Sequence, residues 1–280
     1  MKCKYVADSC CEFPEEFQSS HLCQNVPLTI TVGDETIIDD ETFNQADFLK
    51  KVASYPKCPH SACPSPEQYM QAYEEGDADI IFVTTLSSEL SGSYNSAVLG
   101  MNLFLEEHPE KKVHVFNSRS ASCGEAQTLL KAASLIEAGK SFEETVEETE
   151  RFVYDDLQTY FVLESLEALR KNGRLSRMKA LAINVLNIKP ICFGNKGIIE
   201  QCGIARGMKK ALEKMVELSL RSVEDTKKRI LCISHCNCRK RAEEVLKSYL
   251  AKAEFLCTYI LDTAGISSLY ASDGGIIVTI

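Results

Sequence analysis

Apolar residues along this chain fall into two kinds of stretch. In some they form short continuous runs, and in others they recur every three or four positions. The first kind reads as strands, the second as amphipathic helices. Strands are predicted at residues 4–7, 26–31, 80–84 and 112–116, and helices at 46–54, 66–74, 91–107, 125–138 and 142–154. Pro66 suits a first helical turn. Ser141-Phe142-Glu143-Glu144 has the spacing of a capping box, in which hydroxyl and carboxylate each satisfy a free backbone N–H. This alternation, kept to about residue 157, predicts a mostly parallel sheet with helices on its faces. After that the rhythm changes. Strands at 159–163, 189–193, 197–203, 229–234, 254–261 and 275–280 are joined by fewer helices, at 166–171, 175–186 and 207–220. Gly194-Asn195-Lys196 offers a hairpin turn. The expected fold class is α/β with two domains. Residues 1–157 form an N-terminal, mostly parallel α/β/α sheet, and residues 158–280 a C-terminal α+β domain with a mixed or antiparallel sheet. A ligand site is expected between them, where such pockets tend to form.

Composition narrows the function. The 280 residues are 45% hydrophobic and 25% charged, which is ordinary for a globular protein. A net charge of -9 argues against nucleic acid as a partner. The basic run Arg239-Lys240-Arg241 reads as a solvated helix face. The opening residues lack the apolar core of a signal peptide, with Asp8 breaking the run. No apolar stretch nears the roughly 18 residues of a membrane span. A cytoplasmic location is expected. Thirteen cysteines, an odd number, then read as free thiols used as small buried groups in a reducing cell.

Several segments carry candidate chemistry. Leu86-Ser87-Ser88-Glu89-Leu90-Ser91-Gly92-Ser93-Tyr94 links a predicted strand to a helix. Helix N-termini offer unpaired N–H groups and partial positive charge, so Ser91, Gly92 and Ser93 would suit an anion. Taken alone, a plain N-cap explains them more simply. Ser61-Ala62-Cys63-Pro64-Ser65-Pro66 is a second hydroxyl segment, and Ser61 by itself reads as a turn residue. A serine-dependent acyl hydrolase is the competing class, but the G-x-S-x-G elbow is missing. His235-Cys236-Asn237-Cys238 could be half of a thiol or metal site, without a second ligand pair at zinc spacing. Neither G-x-G-x-x-G nor a P-loop occurs, so no nucleotide cofactor is expected. Arg206 stands at a strand-to-helix junction, where it could pair a carboxylate or lie on the surface.

In order, these pieces resemble the DegV family of fatty-acid-binding proteins, nearly end to end. The resemblance rests on Asp8-Ser9-Cys10-Cys11-Glu12-Phe13-Pro14, Val26-Pro27-Leu28-Thr29, Ser61-Ala62-Cys63-Pro64-Ser65-Pro66 and Leu90-Ser91-Gly92-Ser93-Tyr94. It continues through Ser118-Arg119-Ser120-Ala121-Ser122-Cys123-Gly124, Leu169-Arg170-Lys171-Asn172-Gly173-Arg174-Leu175-Ser176, Leu186-Asn187-Ile188-Lys189-Pro190-Ile191 and Arg206-Gly207-Met208-Lys209-Lys210-Ala211. It implies a non-enzymatic carrier of a long-chain fatty acid such as palmitate or oleate. The carboxylate would be held by Ser61 and Ser91, with Arg206 near the head group. It also implies a fatty acid kinase as partner, which converts the acid to an acyl phosphate for phospholipid synthesis. The sequence departs from the family at Ala62 and Cys63, which replace polar residues, and at Ser61, which replaces a Thr. Tyr270 stands where the family often has a His; a phenol can donate a hydrogen bond but brings no positive charge.

Overall fold

The computed structural model describes residues 2–175 and 187–280; the helix expected at 175–186 lies almost wholly outside them. In chain order the elements are β1 (Cys3–Asp8), α1 (Glu15–Ser20), β2 (Leu22–Val26), β3 (Thr29–Val32), β4 (Glu35–Ile38), α2 (Gln45–Ser54), β5 (His60–Ala62), α3 (Pro66–Glu74), β6 (Ile80–Thr85), α4 (Ser93–Glu107), β7 (Lys112–Asn117), α5 (Cys123–Glu137) and α6 (Phe142–Arg151). The second half continues with β8 (Thr159–Val162), α7 (Glu167–Lys171), β9 (Ile188–Asn195), β10 (Ile198–Arg206), α8 (Met208–Arg221), β11 (Ile230–His235), α9 (Arg239–Leu250), β12 (Cys257–Asp262), α10 (Gly265–Ala271) and β13 (Ile276–Thr279).

Four strands make an all-parallel sheet in the order β2-β1-β6-β7. Its central strand β6 is buried at every residue, the mark of a strand covered on both faces. Val6, Ile81 and Val83 point to α3 and α4, meeting Tyr69, Tyr73, Ala97 and Phe104. Tyr5, Ala7, Ile80 and Phe82 point the other way, to Leu129, Ala132 and Ala133 of α5. That split follows from the two-residue period of a strand.

The second sheet is mixed, with the order β10-β9-β8-β13-β11-β12. Only β11 and β12 run parallel; the other pairs are antiparallel. One face packs on α8 and α9 through Ala211, Met215, Val245 and Tyr249. The opposite face carries Phe161, Leu163, Cys192, Ile199 and Ile277, turned inward toward the first half of the chain.

A third, three-stranded sheet, β4-β3-β5, escaped the hydrophobic pattern. Its strands are short, and the expected strand at 26–31 is broken at Pro27-Leu28 into β2 and β3, which belong to different sheets. Pro27 has no N–H for a ladder. The expected hairpin turn at 194–196 sits later, because Gly194 and Asn195 pair within β9. The turn is Lys196-Gly197, with φ 52° and 85°, as a two-residue hairpin requires. The helix expected at 142–154 ends as α-helix at Arg151 and continues as a π-helical turn, Phe152–Asp156. α10 packs on α2, and Ile266 and Leu269 complete a core cluster with Cys10, Leu28, Ile30 and Phe48. All thirteen cysteines are free.

Candidate functional site

Between the mixed sheet and the loops at the ends of β1 and β6 lies a cavity of about 320 Å³. This falls within the range of about 300–1,000 Å³ usual for small-ligand sites. Thr159, Phe161 and Leu163 face it from one side of β8, spaced two apart as a pleated strand demands. Leu163 lies toward Leu169 and Tyr270. At the Thr159 end, a Cβ on Gly194 would sit 3.5 Å from Thr159, and the Thr159 and Ser120 hydroxyls are 2.6 Å apart. The cavity therefore runs roughly 13 Å along β8.

Polar groups gather at the Leu163 end. Ser61, on β5, places its hydroxyl 2.8 Å from the Tyr270 hydroxyl of α10. Ser91 lies across from it, just before α4. Its Oγ accepts from the Ser93 N–H at 3.2 Å and lies 3.0 Å from Ser93 Oγ. Gly92 is exposed, and a Cβ there would come 3.1 Å from the Cys63 Sγ, so the two hydroxyl segments abut. Arg174 adds the cation. Its Nε donates to the Leu90 carbonyl at 3.2 Å, and its guanidinium carbon is 5.7 Å from the Tyr270 ring centroid. Asn172 fastens this turn to β5 by donating to the Pro59 carbonyl, 3.1 Å away. Burial raises the Tyr270 phenol above its ordinary range, opposed by the hydrogen bond to Ser61 and by Arg174. It is therefore a neutral hydrogen-bonding group at physiological pH.

Of the residues singled out from sequence, Ser61, Ser91, Gly92 and Tyr270 line this end of the cavity. Ser93 does not; it is fully buried one layer behind Ser91. Arg206 does not either. It closes β10 as an exposed residue, because the β9–β10 hairpin carries it past the edge of the cavity. Among the described residues the cation at this end is Arg174, which entered the sequence reading only within the family-like segment 169–176. Its signal was the position after Gly173, whose φ of 77° reverses the chain at the end of α7 and returns the next side chain inward.

The serines are not paired with a histidine, and none of the five histidines lines the cavity. Nor do His235, Cys236 and Cys238 converge. His235 Nδ1 accepts from the Cys238 N–H at 3.3 Å, while the Cys238 thiol donates to the Gly275 carbonyl. Among the described residues, the potential ligand clusters are Asp8 with Cys10 and Glu125, and Glu74 with Glu107 and His108. No helix among them is long and apolar enough to cross a membrane.

Fold and site together define a binding protein for an amphiphile: a mostly apolar cavity with the Ser61, Ser91 and Tyr270 hydroxyls and the Arg174 guanidinium gathered at its Leu163 end. The chain belongs to the DegV family, whose sequence profile, described as uncharacterised protein, DegV family, matches residues 2–274. A DegV domain-containing protein of Streptococcus gordonii is 37% identical over 288 residues, spanning 99% of this chain and 98% of its own. Among solved structures, a DegV family protein of Ruminococcus gnavus with vaccenic acid superposes with a TM-score of 0.95 at 47% identity, covering 99% of both chains. One from Eubacterium eligens loaded with heptadecanoic acid has a TM-score of 0.88 at 32% identity, covering 99% of this chain and 98% of its own. The Streptococcus pneumoniae fatty acid kinase (Fak) B3 protein loaded with linoleic acid has a TM-score of 0.87 at 31% identity, covering 100% and 99%.

Proposed function

We propose that this protein holds one long-chain fatty acid, tail along β8 and carboxylate at the Ser61, Ser91 and Tyr270 hydroxyls, and presents it to a fatty acid kinase. The observation that carries the reading is the polarity of the cavity: its walls are mostly apolar, the Ser61, Ser91 and Tyr270 hydroxyls gather beside Arg174 at the Leu163 end, and at the other end the Ser120 and Thr159 hydroxyls bond to each other while the Arg119 guanidinium lies over the Tyr154 ring. The relatives that hold vaccenic, heptadecanoic and linoleic acid support it.

The energetics divide the work. A tail of about 14 methylenes contributes on the order of 11 kcal/mol before the costs of association. The head group sets direction, since a carboxylate buried without partners is costly. Ser61 and Tyr270 share one hydrogen bond, which leaves the pair one proton to donate into the cavity. Arg174 supplies charge in place of the distant Arg206. Neither serine has a base beside it, so the arrangement binds a carboxyl group and offers no route to a nucleophile. The kinase partner rests on likeness to the Fak B3 protein. A soluble cytoplasmic setting fits this role.

Native mass spectrometry of the purified protein, followed by lipid extraction, tests the reading. A fatty acid near one per chain is expected. A protein that carries none, and takes up neither palmitate nor oleate, sinks it. Loaded protein incubated with a fatty acid kinase and ATP should yield acyl phosphate; persistent failure with kinases from related bacteria would remove the partner.

A further inference from the structure

Behind the cavity mouth lies a carboxylate that binding of a tail and head group leaves without a role. Glu125, in the first turn of α5, is fully buried, and neither of its carboxylate oxygens has a hydrogen-bond partner. Its ligand atom, one from Asp8 and the Cys10 thiol all lie within 4.8 Å of one another. Asp8 is better provided. It accepts from the Cys10 N–H at 3.0 Å and the Leu86 N–H at 2.9 Å. The titratable groups facing this pair are Cys10, Cys11 and Glu12 from the loop after β1, Asp39 from the segment after β4, and Tyr69 from α3. None of them is a cation. Two buried carboxylates without a counter-charge do not both ionise. Burial raises the Asp8 carboxyl too, but its two backbone donors oppose this, so of the pair Asp8 is the one that ionises first. Glu125 keeps the proton, its carboxyl pushed well above the ordinary range by burial and then by Asp8.

The pair reaches the cavity through Ser93. This buried hydroxyl faces Asp8 on one side and the Ser91 Oγ, 3.0 Å away, on the other. The Tyr69 hydroxyl, otherwise without a partner among the described residues, also faces Ser93 and can donate to it, so the one Ser93 proton has Asp8 and Ser91 as its acceptors. Given to Asp8, that proton leaves Ser93 as an acceptor, and the Ser91 hydroxyl is then divided between donating inward to Ser93 and donating to a ligand in the cavity. Given to Ser91, it frees the Ser91 hydroxyl to donate to a ligand carboxylate. We propose that Glu125 donates its proton to Asp8 and so releases the Ser93 hydroxyl to Ser91, making Asp8 and Glu125 the positioning residues of the head-group site. The inference rests on the fatty-acid reading above. It assigns the two carboxyls a task that packing alone would not require.

Two measurements test it. The first needs no ligand: the infrared difference between the wild type and Glu125→Gln should contain the carbonyl band of a buried protonated carboxyl. The second follows retention of oleate, labelled with carbon-13 at its carboxyl, from mildly acidic pH up to the pH at which that band disappears. The wild type should lose roughly three- to tenfold in affinity as the pair gives up its proton, the worth of about one hydrogen bond. Glu125→Gln, whose amide still donates to Asp8, should hold oleate as well as the wild type does in acid and show no such loss. Glu125→Ala, at a residue that is not itself part of the cavity lining, should bind weakly throughout. A missing band, the same pH profile in wild type and Glu125→Gln, or one equivalent of a divalent metal by elemental analysis overturns the proposal. A wild type that retains no oleate at any pH overturns the carrier reading and with it the head-group task, while the band still reports whether the proton is shared.

Discussion

At the scale of single residues, the mouth of the cavity depends on a few hydroxyls whose partners are distant in sequence. Ser61 and Tyr270 are 209 positions apart and meet at 2.8 Å. Tyr270→Phe keeps the ring in its packing and removes the phenolic oxygen. We expect a loss of about 0.5–1.5 kcal/mol in fatty acid binding with little change in melting temperature, checked by calorimetric titration and thermal unfolding. Gly197 is a different kind of dependence. Its φ is 85°, and a Cβ would come 2.4 Å from the Ser87 Oγ, which itself donates to the Gly197 carbonyl. Gly197→Ala should therefore cost more than about 1 kcal/mol in urea unfolding; a neutral result would show that the hairpin can shift away from Ser87. The hydroxyl motifs were legible as candidate sites because small polar residues beside a helix start suit anions. Arg174 was not, since nothing local distinguishes an arginine after a turn from one on the surface.

Elements were legible where local rules and tertiary packing agree. The capping box read at Ser141 forms, with the Ser141 hydroxyl accepting from the Glu144 N–H and the Glu144 side chain accepting from the Ser141 N–H, and a second one, not read from the sequence, forms between Ser65 and Gln68. Ser65→Ala should cost about 1 kcal/mol, read as a lower urea midpoint at unchanged slope. The β9–β10 hairpin bears on function through Gly194, at the closed end of the cavity. A Cβ there makes only ordinary contacts, 3.5 Å to Thr159 and 3.7 Å to the Arg119 carbonyl. Gly194→Val should fold and fill the far end of the tunnel. Lipid extraction from that variant should then give shorter chains than the wild type; an unchanged profile would place the tail elsewhere. The pattern missed α1, β4, β5 and α10, elements of three to seven residues whose length is too short for a period to show, and the longer α9, of which only the basic run at 239–241 was read as a helix face and which buries just Ala242, Val245 and Tyr249.

For the whole molecule, the two halves are joined by buried acids. Glu12 accepts from the Ala264 N–H at 3.1 Å and from Ser122 and Ser234, while Asp39 caps α10 through Gly265 and Ile266 N–H groups at 2.6 and 2.8 Å. Burial outweighs these hydrogen bonds and raises Glu12 to about 7 and Asp39 to about 6. Both folded values lie above the unfolded ones, so the folded state binds more protons between them. Stability from this source is complete below about pH 4 and is lost as pH rises through 6 to 7. Other titrations govern strongly acid solution. The urea midpoint should fall from pH 5.5 to pH 8, and Glu12→Gln should flatten part of that slope, up to about 3 kcal/mol. A midpoint that rises over this range would show that the acids are ionised in the folded state. By itself, the sequence determined β1, β6 and β7 of the parallel sheet, the turn to a mixed sheet in the second half of the chain, and which segments carry hydroxyls, because these follow from periodicity and residue chemistry along the chain. The tertiary structure decided that Ser61 meets Tyr270, that Arg174 rather than Arg206 lies at the mouth, and that Asp8 and Glu125 face each other in the core. Each of those depends on how sheets pack across more than eighty residues of chain or on one backbone reversal, and no local pattern encodes either.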